Sequence, residues 1–217
     1  MANLHYERIS IVERDDPLVD LSTYPFLCEP AYYRLGYTDT PKLFTRRMIA
    51  QKLLLLQEQH LINYQVKIWD PWRPRAVQRK LFEACWAQIK GRNPDWTAER
   101  IGQEVPLYVA DPDRLDRVPS HATGGSIDLT LVDRKTGHEL DMGTGFDHFG
   151  PEAAPHYFEQ KPDHQAICDH RRLLQGAMAS VGFTQDPDEW WHFDYGNQKW
   201  AEAAGEKEAF FGEVVSP

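Results

Sequence analysis

Apolar residues along the chain predict several helices. Between residues 41 and 61, Leu43, Met48 and the run Leu53 to Leu56 recur at mixed three- and four-residue intervals, which is typical of an amphipathic helix. Thr40 and Pro41 stand where a helix N-cap and first turn are expected. The leucine cluster is interpreted as core in preference to a partner-binding stripe. Further helices are predicted over residues 75–90, near 97–103 and over 163–180.

Alternation of apolar and polar residues predicts the strands. Residues 64–70 alternate like a half-buried strand, and the prolines that follow leave Arg73 in a stiff turn. Residues 126–132 form the clearest strand, with Ile127 and Leu129 on one face and Asp128 on the other. A hairpin turn at 135–137 leads to a strand over 138–142, and a last strand covers 190–195. Helices first and strands afterwards predict an α+β fold, an antiparallel sheet flanked by helices.

The segments between these elements suggest how one domain is organised. A chain of 217 residues is suited to a single domain over residues 1–217. Residues 1–40 are rich in Pro, Tyr and Asp and are predicted to wrap the surface as irregular structure. Residues 92–118 are interpreted as a long connection near the mouth of a site.

Composition and charge limit the kinds of partner and the cellular location that we expect. The net charge of −9 argues against a nucleic-acid partner, because phosphate binding requires a basic face. The start of the chain has no basic leader before an apolar stretch, and the longest apolar run, Leu53 to Leu56, is too short to cross a bilayer. Three cysteines without close pairing fit reduced thiols. We therefore expect a cytoplasmic protein with no membrane partner, and its oligomeric state stays open.

Two stretches contain residues suited to one metal site. The first provides His121 and Asp128, separated by a glycine pair that permits a tight reversal. The second provides Glu189 and His192. Two histidines and one aspartate leave a zinc ion one ligand short, as a catalytic site requires, and Glu189 would be free to act as general base. On spacing alone, a surface loop with an exposed aspartate explains the first stretch equally well.

The second stretch does not suit a helix. Residues three apart share a helix face, yet the aromatic run that contains Trp190 and Trp191 favours a strand. We therefore place Glu189 in the preceding turn, leaning over the metal, and His192 on the strand. The two tryptophans are predicted to wall the site, with ordinary core packing as their other role.

Arg73 is a third candidate because it lies in a rigid Pro-Trp-Arg-Pro turn directly after a strand. A guanidinium held there could stabilise a developing oxyanion. A structural salt bridge is the alternative, and the sequence alone favours it slightly.

The chain resembles a known family through four motifs, which occur along the chain in the same order as in that family. They are Trp69-Asp70-Pro71-Trp72-Arg73-Pro74, residues 121–131, Met142-Gly143-Thr144-Gly145-Phe146-Asp147 and Glu189-Trp190-Trp191-His192. Together they resemble the zinc D-alanyl-D-alanine dipeptidases, the group that contains the vancomycin-resistance dipeptidase. That group belongs to a larger family of zinc DD-carboxypeptidases and hedgehog-like domains. The similarity runs from about residue 65 to 195, the catalytic core that it implies.

The resemblance implies a role for each matching residue. His121, Asp128 and His192 would bind one zinc ion per chain, and Glu189 would be the catalytic base. Arg73 would assist at the transition state, and Asp147 would pair with the free ammonium of the substrate. Two positions depart from the pattern: Pro119 replaces a usual serine, and Ser126 replaces a usual alanine. Pro119 has no hydroxyl or amide proton, so the contact to the substrate's carboxylate end would be either missing or supplied by Ser120.

These expectations predict a zinc dipeptidase that hydrolyses D-alanyl-D-alanine, a small dipeptide, to free D-alanine. One alternative is a zinc DD- or LD-carboxypeptidase that acts on peptidoglycan peptides. An alternative of another class is a hedgehog-like, zinc-stabilised binding module without turnover. Glu189 and Arg73 argue against that module, because a structural zinc site needs neither.

Overall fold

The computed structural model describes residues 6–114 and 117–217, and most of its helical residues lie in three long helices. Among the described residues, none of the helices has the combined length and apolar character needed to span a bilayer. The α-helices are α1 (Ala31–Arg34), α2 (Arg47–Gln59), α3 (Arg75–Arg92), α4 (Ala98–Glu104), α5 (Gln165–Ser180) and α6 (Gln198–Ala204).

The described strands form one five-stranded sheet and two small pairs. The strands are β1 (Ser10–Ile11), β2 (Leu18–Asp20), β3 (Leu27–Cys28), β4 (Phe44–Arg46), β5 (Tyr64–Asp70), β6 (Ser126–Asp133), β7 (Thr184–Gln185), β8 (His192–Asp194) and β9 (Glu208–Ala209). The large sheet has the order β3-β5-β6-β8-β7. Its β5, β6, β8 and β7 pair antiparallel, whereas β3 pairs parallel with β5. The α+β prediction is confirmed, with one parallel edge strand that was not expected.

Strand β6 is covered on both faces, with its apolar core residues on one face and buried polar residues on the other. Ser126 through Val132 are all buried, so this strand is enclosed rather than half-buried. Leu53 and Leu56 of α2 and Leu174 of α5 belong to the same buried cluster as the apolar residues of β6. The interpretation of the leucine cluster as core is therefore confirmed for these two positions, while Leu55 remains 43% exposed.

The start of the first long helix was predicted wrongly. Residues 44–46 form β4, which pairs antiparallel with β2, and the helix begins only at Arg47. Thr40 and Pro41 lie outside it in a segment without regular structure. The ladder to β2 gives residues 44–46 backbone partners that a sequence pattern cannot reveal. Long-range pairing therefore overrides the local helical signal.

The other boundaries are close to the predictions, with two exceptions. α3, α4, α5, β5 and β6 agree within a few residues, and the last strand shortens to β8. The predicted strand over 138–142 is reduced to a single bridge between Val132 and Glu139. Residues 6–40 are less irregular than predicted, because they contribute β1, β2, β3 and α1. The parts of the predictions that cover residues 1–5 and 115–116 lie outside the described residues.

Candidate metal and substrate site

Two adjacent strands and one tight turn position the three candidate metal ligands. Asp128 on β6 lies directly opposite His192 on β8 in the antiparallel register. His121 lies in a short 3-10 turn at residues 120–123, which Gly124 ends with a φ of 69°. That left-handed conformation suits glycine and returns the chain into β6. The surface-loop interpretation of Asp128 is wrong, since its side chain is buried.

The three ligand atoms lie at distances that suit one ion. His121 Nε2 is 3.1 Å from His192 Nδ1, which is 3.0 Å from Asp128 Oδ1. His121 Nε2 is 3.4 Å from Asp128 Oδ2. Donor atoms of a tetrahedral zinc ion lie about 3.3 Å apart, given metal–ligand distances of about 2.0–2.1 Å. The arrangement therefore fits a metal ion of this kind without rearrangement.

The hydrogen bonds on the far side of each imidazole assign its tautomer. His121 Nδ1 donates to the backbone oxygen of Pro71 at 2.6 Å, which leaves Nε2 as a bare acceptor. His192 Nε2 donates to Asp194 Oδ2 at 3.1 Å, which leaves Nδ1 bare. Two nitrogen lone pairs and a carboxylate then converge, an arrangement that suits a bound metal ion. Outer hydrogen bonds of this type are usual behind metal-bound histidines.

The charges around the cluster stabilise a positive charge at its centre. Burial raises the pKa of Asp128, but His121 and His192 outweigh it and bring that pKa below its ordinary value. Burial lowers the pKa of His192, but Asp194 and Asp128 raise it well above its ordinary value. A positive charge at His192 Nδ1 is thus favoured, whether a proton or a metal ion carries it.

A second group of possible ligands on the other side of His192 is already paired. It consists of Asp186, His192 and Asp194. Asp186 Oδ2 forms an ion pair with Lys199 Nζ at 2.8 Å. Burial raises the pKa of Asp194, but the charge and hydrogen bond of His192 lower it below the usual range. These carboxylates are engaged with protein donors, so this group is the support of His192 rather than a second metal site.

Glu189 lies in the turn before β8, as predicted, beside the ligand cluster. Its Oε2 atom is 3.9 Å from His192 Nδ1, and its side chain, which lines the pocket, remains 36% exposed. Burial raises the pKa of Glu189 to about 8, and Asp186 and Asp128 act in the same direction while His192 opposes them. A carboxylate with a raised pKa next to a metal position suits a general base.

Arg73 forms the salt bridge that the sequence favoured, and it also lies at the pocket. It forms a buried ion pair with Asp70 at 2.7 Å and donates to Gln78 Oε1 at 2.9 Å. It also lines the pocket, with Nη2 3.6 Å from Asp128 Oδ2. Asp70 Oδ2 lies 3.2 Å from His121 Nδ1 as well. The salt bridge therefore holds the guanidinium at the site instead of removing it.

Asp147 also lines the pocket, where it is held by a residue that the sequence did not point to. Tyr32 donates its hydroxyl to Asp147 Oδ2 at 3.0 Å and accepts from Arg73 Nη2 at 3.2 Å. Asp147 has a φ of 56°, a left-handed backbone that aspartate tolerates. Burial raises the pKa of Asp147 to about 7, while Arg73 lowers it. The signal for Tyr32 was weak, because α1 is one short turn outside the predicted core.

The remaining candidates surround a pocket of about 640 Å³. Ser120 and Pro119 both line it, next to the ligand cluster. Trp190 and Trp191 do not wall it as predicted: each is 2% exposed and packs in the main core. Trp190 Nε1 donates to Thr144 Oγ1 at 2.8 Å, so the tryptophans support the loop that carries Asp147 from behind.

Comparison with known proteins identifies a family for the chain. A family model described as D-ala-D-ala dipeptidase matches residues 36–209. A D-alanyl-D-alanine dipeptidase of Synechocystis is 28% identical over 64% of this chain and 62% of its own length. One of Escherichia coli is 34% identical over 62% of this chain and 56% of its own length. The chain therefore spans less than two thirds of the length of these curated relatives.

One solved structure covers nearly the whole chain. It is a vancomycin resistance D,D-pentapeptidase, VanY, in complex with Zn(II). It covers 94% of this chain and 97% of its own at 14% identity, with a TM-score of 0.47.

Proposed function

Because the chain belongs to the D-ala-D-ala dipeptidase family, we propose that it is a zinc-dependent dipeptidase that hydrolyses D-alanyl-D-alanine to free D-alanine. The observation that carries the proposal is the convergence of His121, Asp128 and His192 next to Glu189. Three ligands beside a carboxylate that is not one of them are the features of a catalytic rather than a structural zinc site. The proposed enzyme is one peptidase domain with one zinc ion per chain.

His121, Asp128 and His192 would hold the zinc ion, which would supply Lewis acidity toward a water molecule and the scissile carbonyl. Glu189 takes a proton from the attacking water at Oε2 and passes it to the nitrogen of the leaving amine. The protein returns to its starting state, because the proton that Glu189 accepts is the one that it donates.

Arg73 and Asp147 orient the dipeptide. The Arg73 guanidinium provides fixed donors and a positive charge where negative charge develops on the carbonyl oxygen. Asp147 provides a partner for the free ammonium, and a substrate without that amine would leave the recessed carboxylate without this charged partner. Ser120 is proposed to contact the substrate's carboxylate end, since Pro119 has no hydroxyl to offer.

The size of the pocket is also compatible with the alternative function of a carboxypeptidase. A volume of about 640 Å³ is in the range of sites that enclose much larger ligands than a dipeptide. A zinc carboxypeptidase that trims peptidoglycan peptides would use such space for a longer amino end. The carboxylate of Asp147 opposes it, because an extended peptide brings no ammonium to that position.

One set of assays tests both functions. Purified protein is given free D-Ala-D-Ala, an amino-acetylated analogue and L-Ala-L-Ala, with and without a chelator. We expect chelator-sensitive release of D-alanine from the free D-dipeptide and little from the other two. Absence of cleavage of all three compounds would refute the enzyme. Equal cleavage of the acetylated and free compounds would indicate the carboxypeptidase and remove the role of Asp147.

A further inference from the structure

A buried polar array supports the ring nitrogen of His192 that does not face the other two metal ligands. Asp194 accepts from His192 Nε2 through Oδ2 at 3.1 Å. Its other oxygen, Oδ1, accepts from Ser126 Oγ at 2.6 Å and from Asn197 Nδ2 at 2.6 Å. Ser126, Asp194 and Asn197 are each no more than 2% exposed. We call these three residues the Asp194 array.

We propose that the Asp194 array is a positioning device that fixes the tautomer and orientation of His192 and thereby strengthens zinc binding. This inference rests on the proposed metal site and is independent of the identity of the peptide substrate. It also gives a function to Ser126, the residue that stands where the family resemblance leads one to expect alanine.

The donor and acceptor of each hydrogen bond in the array are fixed, starting from Asn197. Asn197 Oδ1 accepts the backbone N–H of Trp200 at 2.9 Å, as the N-cap of α6. Its amide nitrogen must therefore point toward Asp194. The N-cap of α6 therefore fixes which way the Asn197 amide points. A flipped amide would lose both the hydrogen bond from the Trp200 backbone N–H and the one to Asp194 Oδ1.

The donors on Asp194 also fix which nitrogen of His192 carries the proton. Two donors occupy Oδ1, and an ionised carboxylate has only acceptors, so Oδ2 can only accept. His192 Nε2 is then required to donate, and Nδ1 keeps its lone pair free for a metal ion. A buried hydrogen bond to a charged acceptor also makes the imidazole a stronger ligand.

Asp194→Asn provides the sharpest test because it conserves shape and reverses polarity. Ser126 and Asn197 would hold the new amide oxygen at the Oδ1 position, which turns the new amide nitrogen toward His192. His192 Nε2 must then accept, and its proton moves to Nδ1, where it blocks the metal. We expect the zinc dissociation constant, measured by competition with a chromophoric chelator, to rise about tenfold to a hundredfold. Ser126→Ala removes one of two donors and should give a smaller rise.

A matched control separates positioning from general damage to the core. Thr130 lies on the same strand as Ser126 and is 1% exposed, but its hydroxyl has no hydrogen-bond partner among the described residues. Thr130→Val should leave the zinc dissociation constant unchanged. Circular dichroism and thermal unfolding of each variant establish that it is folded. Nitrogen-15 shifts of zinc-loaded wild type should show His192 protonated at Nε2.

The outcomes distinguish the inference from the proposed function. A wild-type protein that binds no zinc would overturn both. Zinc binding by wild type with equal affinity in folded Asp194→Asn would overturn the array alone. Equal weakening by Thr130→Val and Ser126→Ala would also overturn it, because the effect would then be one of core packing. Weakening confined to Asp194→Asn and Ser126→Ala supports it.

Discussion

The proposed metal half of the site, which contains His121, Asp128, Glu189 and His192, and the proposed ammonium half, which contains Tyr32 and Asp147, are built in different ways. The proposed ligands Asp128 and His192 face each other across two paired strands, and His121 lies one tight turn before the first of them. In contrast, Asp147 lies in a loop and is tied to Tyr32, which is 115 positions earlier in the chain. The first half depends on strand register, and the second depends on packing between distant segments.

Arg73 joins the two halves. Its Nη2 atom lies 3.6 Å from Asp128 Oδ2 and donates to Tyr32 Oη at 3.2 Å. The rest of its guanidinium is held by Asp70 and Gln78. Damage to the metal half should therefore abolish chemistry, whereas damage to the ammonium half should mainly impair substrate binding and selectivity.

The largest expected effect is the loss of a metal ligand. His121→Ala should remove bound zinc and reduce hydrolysis of D-Ala-D-Ala to the background rate, because two remaining ligands hold zinc poorly. Two measurements test this: the zinc content by atomic emission, and the activity before and after dialysis against zinc. His138→Ala, at an exposed position, is the matched control and should retain both. Full zinc content in His121→Ala would show that the ligands are wrongly assigned.

Glu189→Gln should separate chemistry from metal binding within the same half. The amide cannot accept the proton, so kcat should fall by about 10²- to 10⁴-fold, the usual contribution of a general base. Zinc content should equal that of wild type, because Glu189 is not among the three converging ligands. Parallel loss of zinc and activity would instead make Glu189 a ligand.

How much the sequence predicts also differs between the halves. His121, Asp128, Glu189 and His192 occur in short motifs whose donor chemistry is readable without the fold. Tyr32 was missed because its role exists only once α1 packs against the loop that carries Asp147. Residues 44–46 were assigned to a helix for the same reason, since their partner strand β2 is distant in sequence. Contacts that depend on long-range pairing leave no periodic signal.

Tyr32→Phe tests the ammonium half with the smallest chemical change. It removes one hydroxyl that contacts both Asp147 and Arg73 and keeps the ring that lies 4.8 Å from the Arg73 guanidinium. A hydrogen bond to a charged group contributes about 1.5–3 kcal/mol, which corresponds to about a tenfold to hundredfold loss in kcat/KM. Steady-state kinetics should place most of the loss in KM, with zinc content unchanged.

The neighbouring residue provides the control for that change. Tyr33→Phe removes a hydroxyl from a side chain that is 45% exposed, and it should leave kcat/KM within error of wild type. Discrimination between free and amino-acetylated D-Ala-D-Ala should fall in Tyr32→Phe only. The same loss in both variants would mean that α1 acts through stability and not through the Tyr32 hydroxyl.

The smallest expected effect concerns Gly124, which ends the turn that contains His121 and lies close to Leu18 of β2. A Cβ at Gly124, where φ is 69°, would lie 2.6 Å from Leu18 Cδ2 of β2. Gly205 has a φ of 73° and no described atom within 4 Å of such a Cβ. Gly205→Ala should therefore cost about 1 kcal/mol of unfolding free energy for the left-handed backbone alone. Gly124→Ala should cost about 1 kcal/mol more for the contact with Leu18. Urea unfolding measures both, and equal costs would show that Leu18 moves aside freely and that the N-terminal segment does not constrain the His121 turn.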